Sequence, residues 1–572
     1  MPVHNTEIAG LFDRLADLLE VEGANPFRVR AYRNAARTVS GHSQQMADLL
    51  AGDKDLSRLP GIGKDLADKI RAIVETGRLP LLDEVAERTP PALSDLMKIE
   101  GLGPKRVKTL YRQLRITGTE DLRRAARSGR IRKLAGFGKK TEELILSRVE
   151  RLGDTEKRTR LADAGEILKP LLAYLQASEG IKNVAVAGSF RRRRETVGDL
   201  DILVSATKNS PVMARFVKYD EVVEIVSSGK TRSTVILRSG LHVDLRVVPQ
   251  VSFGAALCYF TGSRAHNIAV RRIGAGKGLK INEYGVFRNG RRIAGRTEKE
   301  VYRQVGLPYI EPELRENRGE IEAGRKNRLP GLVTLADIRG DLHCHTRATD
   351  GHNSLEEMAL AAREQGHEYL AISDHSRHLS IARGLSGKRL RGEMARIDRL
   401  NEKLEDIVIL KAIEVDILED GTLDMPDSLL RQLDLVVGAV HHRFNLSRGQ
   451  QTERILRAMD NPCFNILAHP TGRLINERPA YEVNIEKLMS AARENGCFLE
   501  VNAQPARLDL TDTYCKLAKE TGVQVAISTD AHSTGGLQCM GFGIDQARRG
   551  WLEADDVLNT RKLGELRKLL KR

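Results

Sequence analysis

Three stretches near the start of the chain repeat one pattern of apolar and polar positions: LPGIGKDLADKI (59–70), IEGLGPKRVKTL (99–110) and LAGFGKKTEELI (134–145). In each, an apolar residue precedes Gly-x-Gly, and a basic segment with apolar spacing of three and four predicts a helix. Later the period changes. VAVAGSFRRRRETVGDLDILV (184–204) predicts a short strand running into Gly188-Ser189, a basic helix, and a strand carrying Asp199 and Asp201. LHVDLRVV (241–248) alternates as a further strand and carries Asp244. From 338 onward, apolar β-prone runs each give way to helical spacing, which predicts seven strand–helix units. Six of the runs end in metal-capable side chains: His343-x-His345, His375, Glu414, His441, His469, and Asp530 with His532. The seventh, FLEVN (498–502), shows no obvious ligand.

Composition divides the chain in the same way. Of 572 residues, those before 338 hold 60 Lys+Arg against 42 Asp+Glu, and those after hold 32 against 35. Ten of the fourteen histidines lie in the second part. A basic first part suits a polyanion, because Lys and Arg displace counterions from phosphates. A charge-balanced, histidine-rich second part suits metal. The length predicts several domains. No apolar stretch reaches the roughly 18 residues of a membrane span, and the N-terminus lacks a basic region followed by an apolar one. A cytoplasmic location without a membrane partner is expected. The six cysteines show no regular spacing and read as reduced, packed thiols.

The glycine turns carry the first chemistry. A tight turn at a helix N-terminus exposes backbone N–H groups that bind a phosphate oxygen without reading base identity. Gly61, Gly63, Gly101, Gly103, Gly136 and Gly138, with Lys105 close behind, are the expected DNA contacts, as three helix-hairpin-helix copies. On the first hairpin's helix, Lys69 is open to two readings, a phosphate partner or an amine that forms a Schiff base with a sugar aldehyde.

In a strand, residues two apart share a face, so Asp199 and Asp201 present two carboxylates to one point, and Asp244 supplies a third. Oxygen ligands of this kind hold Mg²⁺ or Mn²⁺, and two such ions suit nucleotidyl transfer. Ser189, Arg192 and the Gly198 backbone are placed to meet a triphosphate. In the second part, ligands at the C-terminal ends of successive parallel strands predict a β/α barrel with a site at its mouth. Mixed imidazole and carboxylate ligands suit Zn²⁺ or Mn²⁺.

Gly188-Ser189, Gly198-Asp199-x-Asp201 and Asp244, followed by YFTGSRAHN (259–267) and INEY (281–284), resemble the palm and thumb of family X DNA polymerases over residues 1 to about 315. The resemblance implies a lyase-type N-terminal domain with Lys69 at its Schiff-base position. It further implies that Tyr259, Phe260 and Gly262 shape the nucleotide sugar site, that Asn267 faces the incoming base, and that Arg271 contacts the template side. Arg193 stands where a glycine is common, Val197 and His242 replace a phosphate-contacting serine and an arginine, and Asp65 replaces a basic lyase residue. Residues 338–572 resemble the PHP (polymerase and histidinol phosphatase) domain. Its nine ligand positions fall on His343, His345, Asp350, His375, Glu414, His441, His469, Asp530 and His532, for up to three ions. His441 is taken over His442 on the family's spacing.

The expected architecture is multidomain α/β: helical helix-hairpin-helix domains (1–80 and 81–155), an α+β nucleotidyltransferase palm (156–250), a thumb (251–317), a charged linker (318–337) and a distorted (β/α)7 barrel (338–572). The expected function is repair polymerisation on gapped or nicked DNA with dNTPs by a monomer. The barrel would supply a 3′–5′ exonuclease or abasic-site endonuclease. The rivals are a degenerate polymerase that only delivers the barrel to DNA, and a barrel acting on small phosphate esters.

Overall fold

The computed structural model describes residues 3–571 apart from 4, 41, 43, 98, 100, 101 and 152–157. It forms two compact units, Met1–Lys157 and Arg158–Arg572.

The first unit is helical among its described residues and is built on one apolar core running from Val3 to Val149. One backbone bond recurs at its three glycine segments. Ile62 N donates to Leu59 O, Leu102 N to Ile99 O and Phe137 N to Leu134 O, at 2.9 to 3.0 Å. In each turn the second of those apolar residues is buried, and a helix follows: Lys64–Thr76, Pro104–Leu114 and Lys139–Arg151. Gly61 and Gly136 have φ of 77° and 82°, which side chains other than glycine adopt at a cost of about 1 kcal/mol.

The second unit begins with the palm. Its five-stranded sheet has the order Ile181–Val186, Asp199–Ala206, His242–Val247, Arg232–Leu237, Val222–Ser228. The central pair, Asp199–Ala206 and His242–Val247, is parallel and the other pairings are antiparallel. Leu161, Leu168, Leu171 and Leu175 of helix Leu161–Gln176 bury the palm core against this sheet. The thumb packs helices Phe253–Thr261, Arg264–Gly276 and Glu298–Val305 around a three-stranded sheet. It is tied to the palm through Glu298, which accepts from Arg191 Nη2 at 2.6 Å and from the fully buried Arg315 Nη1 at 2.6 Å.

The charged segment expected to be a linker does connect thumb and barrel, but as packed structure. It carries helix Glu320–Arg325, with Glu320 and Ile321 buried. Glu320 accepts from His266 Nδ1 at 2.6 Å, and Val333 N donates to Leu552 O at 3.0 Å. Glu320 and Arg318 are paired internally, while Glu322, Arg325, Lys326 and Arg328 stay exposed, so a composition typical of solvated chain hides a helix that packs on one face.

In the barrel, seven parallel strands follow chain order: Gly340–Cys344, Tyr369–Ile372, Val408–Asp416, Leu435–Ala439, Ile466–Leu467, Phe498–Asn502 and Val525–Ser528. Covered on both faces, they are near-continuous apolar runs, as parallel strands must be. A bridge between Cys344 and Ala531, with His345 N donating to Ala531 O at 2.9 Å, joins the last strand's end to the first. The six cysteines are free. Among the described residues no helix is long and apolar enough to cross a membrane.

Candidate active sites

Register fixes the palm site. Asp201 pairs with Asp244 across the parallel central strands, and Asp199 pairs with His242 two residues earlier on the same face. Gly188, at φ 63°, lies against this point: a Cβ there would come 2.7 Å from Asp201 Oδ2. Glycine is required by close approach as well as by backbone. Burial, and then the charges of Asp199 and Asp244, push Asp201 up to about 7. Asp244 is turned onto cations, with Oδ2 accepting from Arg232 Nη2 at 2.9 Å and from Arg246 Nη2 at 3.3 Å, while Oδ1 accepts from the Thr234 hydroxyl. Burial and neighbouring carboxylates raise both Asp199 and Asp201, and with Asp244 beside them they form a donor set a divalent cation would neutralise, so the chemistry fits the expected ions.

Around them lie the residues expected to meet a nucleotide. Ser189 and Arg192 belong to the turn of helix Gly188–Arg191, where Arg194 N donates to Ser189 O at 3.1 Å. Arg192 reaches the thumb, Nη1 donating to Thr261 O at 2.5 Å beside Gly262. Arg193 takes φ 56°, which accounts for glycine being common at this position. Gly198 is approached by Arg158, whose Nη1 lies 3.1 Å from where a Cβ would stand. Tyr259 and Phe260 meet edge to face at 5.1 Å, and the Arg246 guanidinium covers the Phe260 ring at 4.4 Å. Asn267 Nδ2 donates to Tyr259 O at 2.7 Å, and Arg271 is exposed on the same helix, Arg264–Gly276.

In the first unit, Gly63 and Gly103 cap the helices they precede, Glu142 N donates to Gly138 O at 3.0 Å, and Lys105 is exposed. Gly101 lies outside the described residues. The Lys69 ammonium is ion-paired with Asp65 one turn earlier. A Schiff base needs a free, neutral amine, so this pair has to open before any lyase step. Tyr32 is buried against Phe12, with ring centroids 5.9 Å apart.

The barrel gathers its nine residues at the strand ends around Glu414. The Glu414 carboxylate is approached by His375 Nδ1 at 2.8 Å, His469 Nε2 at 3.1 Å, His441 Nε2 at 3.3 Å, His343 Nε2 at 3.4 Å and His345 Nε2 at 3.6 Å. Asp530 Oδ1 lies 3.2 Å from His345 Nε2, and Asp350 Oδ2 lies 3.4 Å from both His375 and His532. Three groups have ligand atoms within 4.8 Å of one another: His345/Asp350/His375/His532, His343/His345/Asp530 and His375/Glu414/His441. His343 Nε2, both His345 nitrogens, Asp350 Oδ1 and Glu414 Oε2 are buried without a hydrogen-bond partner. Buried polar atoms of this kind fit a metal ion, and imidazole with carboxylate is the donor set of a transition-metal site.

The electrostatics agree. Burial works against a charged imidazole at His375, but Glu414 and Asp350 outweigh it and lift the group to about 10. At His441 burial is likewise outweighed by Glu414 and Asp416, giving about 9. Burial, and then His375, drops His345 to about 3.

Two carboxylates here escaped the sequence reading. FLEVN does contribute: Glu500 Oε1 accepts from His343 Nδ1 at 2.7 Å, and Glu500 Oε2 from His469 N at 2.7 Å. Asp416 Oδ1 accepts from His441 Nδ1 at 2.7 Å. Both lie on the strand period, two residues from Asn502 and from Glu414, and that was the available signal. The His378 and His442 rings meet tilted at 4.6 Å and cluster with Asp416. Arg454 Nη2 stands 3.3 Å from His442 Nε2, a cation where an ion would have to sit.

A nucleotidyltransferase palm and an imidazole–carboxylate barrel together define a DNA-binding protein with two metal-dependent phosphoryl-transfer centres. Family models match a DNA polymerase beta thumb at 256–316, helix-hairpin-helix domains at 3–79 and 93–151, and a PHP domain at 341–504. The chain is 37% identical to DNA polymerase/3′-5′ exonuclease PolX of Bacillus subtilis (strain 168), over 100% of both chains. It is 27% identical to DNA polymerase lambda of Rattus norvegicus over 55% of this chain and 56% of that one. A probable phosphatase of Thermoanaerobacter sp. (strain X514) is 30% identical over 40% of this chain and 94% of its own length. The chain belongs to the family X DNA polymerases that carry a C-terminal PHP domain.

Proposed function

We propose that the protein fills short gaps in DNA at the palm and removes 3′-terminal nucleotides at the barrel. The observation that carries the first half is the register of Asp201 on Asp244 beside Gly188. Asp199, Asp201 and Asp244 hold the palm's ions, Mg²⁺ or Mn²⁺. When bound, these activate the primer 3′-hydroxyl and neutralise charge on the leaving pyrophosphate. Ser189, Arg192 and the Gly198 backbone bind the triphosphate of an incoming dNTP. Tyr259, Phe260 and Gly262 wall its sugar, Asn267 faces its base, and Arg271 lies on the template side. The hairpin backbones at Gly61, Gly63, Gly101, Gly103, Gly136 and Gly138, with Lys105, grip phosphates on gapped or nicked duplex.

At the barrel the nine residues hold up to three Zn²⁺ or Mn²⁺ ions, which lower the pKa of a water for attack on phosphorus. Glu500 and Asp416 orient His343 and His441 by accepting their Nδ1 protons. The domain limits follow the sequence boundaries given above, and the protein acts as a cytoplasmic monomer. The likeness to probable phosphatases supports a second reading, hydrolysis of small phosphate esters.

The test is primer extension and 3′-end hydrolysis by one preparation. D199A/D201A abolishes extension and leaves hydrolysis; H343A/H345A does the reverse. Loss of both activities in either variant removes the assignment of two independent sites. Nitrophenyl phosphate that outcompetes a DNA 3′ end at equal concentration favours the second reading.

A further inference from the structure

We propose that Arg549 of the barrel is a positioning residue for the palm, fixing Arg192 at the triphosphate. The inference rests on the nucleotidyl-transfer reading above and adds the barrel to it.

The palm segment between the Gly188-Ser189 turn and Asp199 is docked on the barrel and on Glu316 at the end of the thumb. Arg549 Nη1 donates to Arg192 O at 2.6 Å. Arg193 Nε lies 3.5 Å from Asp545 Oδ1. Arg194 Nη1 lies 3.7 Å from Glu316 Oε1, an oxygen that also accepts from Arg549 Nη1 at 3.2 Å. Glu195 takes both Arg473 nitrogens, at 3.2 and 2.7 Å. Phe542, on the same helix as Arg549 (Met540–Arg549), packs against the palm core.

Arg549 is the hub. Its side chain is only 3% exposed, and its Nη2 donates to Asp512 Oδ2 at 2.6 Å. Glu316 Oε1 accepts from Arg192 Nε at 3.1 Å, while Arg192 Nη1 holds Thr261 O. Arg192 is therefore fixed at its carbonyl, its Nε and its Nη1, between the phosphate turn and Gly262. Removing the Arg549 guanidinium leaves the Arg192 carbonyl without this donor and Asp512 with one cation fewer. A buried group that loses its partner moves toward another or toward water. The loop then shifts, and the guanidinium at its start loses its aim. Preorganisation of this kind acts on substrate binding.

The experiment titrates dNTP on gapped duplex with the full-length protein and its R549M, R549K and E195Q variants, alongside D199A. R549M is expected to raise the dNTP KM about tenfold with kcat within about threefold, and to leave 3′-end hydrolysis of single-stranded DNA at the wild-type rate. R549K recovers part of the loss because an ammonium reaches one carboxylate at a time. E195Q, at a half-buried position, raises KM severalfold. R549M that hydrolyses normally with a wild-type KM, or with a change in kcat alone, overturns the proposal. If R549M does not fold, wild-type KM in both R549K and E195Q overturns it equally. Wild-type protein that extends no better than D199A would instead sink the nucleotidyl-transfer reading.

Discussion

Glu500 accepts the Nδ1 proton of His343 at 2.7 Å, on the side of the imidazole opposite Glu414. That bond fixes the tautomer and leaves Nε2 free to donate a lone pair into the cage. E500Q is expected to weaken metal binding by about 10- to 100-fold, the usual cost of losing such a partner. Chelator competition followed by Mn²⁺ titration checks it: hydrolysis falls at limiting metal and returns in excess. A variant as tight as wild type would leave Glu500 with a packing role only.

Metal binding at the barrel should release protons. Without an ion, His375 and His441 titrate near 10 and 9, so both are cationic at neutral pH. An ion competes with those protons, and its affinity therefore rises with pH until they are lost. Calorimetry in buffers of different ionisation enthalpy at pH 7 reads the release directly, and an apparent affinity flat from pH 6.5 to 8.5 contradicts it.

The Arg191–Glu298–Arg315 cluster joins palm and thumb, and its loss should show as instability. Burial opposes the Glu298 charge, but the hydrogen bonds and charges of Arg191 and Arg315 win and hold the carboxyl at about 2. A lowered folded-state pKa stabilises above the unfolded value, near pH 4.5, and that stability is lost as pH falls toward 2. The shift corresponds to roughly 3 kcal/mol. E298Q leaves the buried Arg315 and the partly exposed Arg191 guanidinium groups facing a neutral amide and should cost about 3–5 kcal/mol at pH 7, with little difference from wild type near pH 2. Thermal melts across that range measure it.

The phosphate contacts proposed for the hairpins would carry a salt signature. K105A should weaken duplex binding alike on unrelated sequences and lower the slope of log affinity against log salt by about 1. Fluorescence anisotropy at 50–200 mM salt checks this, and a sequence-selective loss would argue for base contact instead.

The parts of both sites that were legible in the sequence follow a short period. Asp199 and Asp201 share a strand face, and the barrel residues recur where apolar runs stop, so spacing alone aligned them. Asp244 was found because its strand alternates. Glu500 was missed because a carboxylate inside a buried run looks ordinary until the imidazole facing it, 157 positions away, is in place. Arg473 and Arg549 carry no motif that the sequence could single out. Their partners Glu195 and Glu316 lie hundreds of residues earlier, and no local pattern reports such a pairing. In the segment 318–337 the charge content fits the exposed Glu322, Arg325, Lys326 and Arg328, but it says nothing of Glu320, whose partner His266 lies 54 positions earlier.

Asp530 and His532 arrive with the seventh strand, and the Cys344–Ala531 seam that closes the ring forms between them and the first ligands. On the ribosome, a growing chain displays every palm carboxylate long before its degradative centre can exist. Nascent molecules interrupted upstream of residue 525 would lack two of the proposed barrel ligands while already carrying Asp199, Asp201 and Asp244.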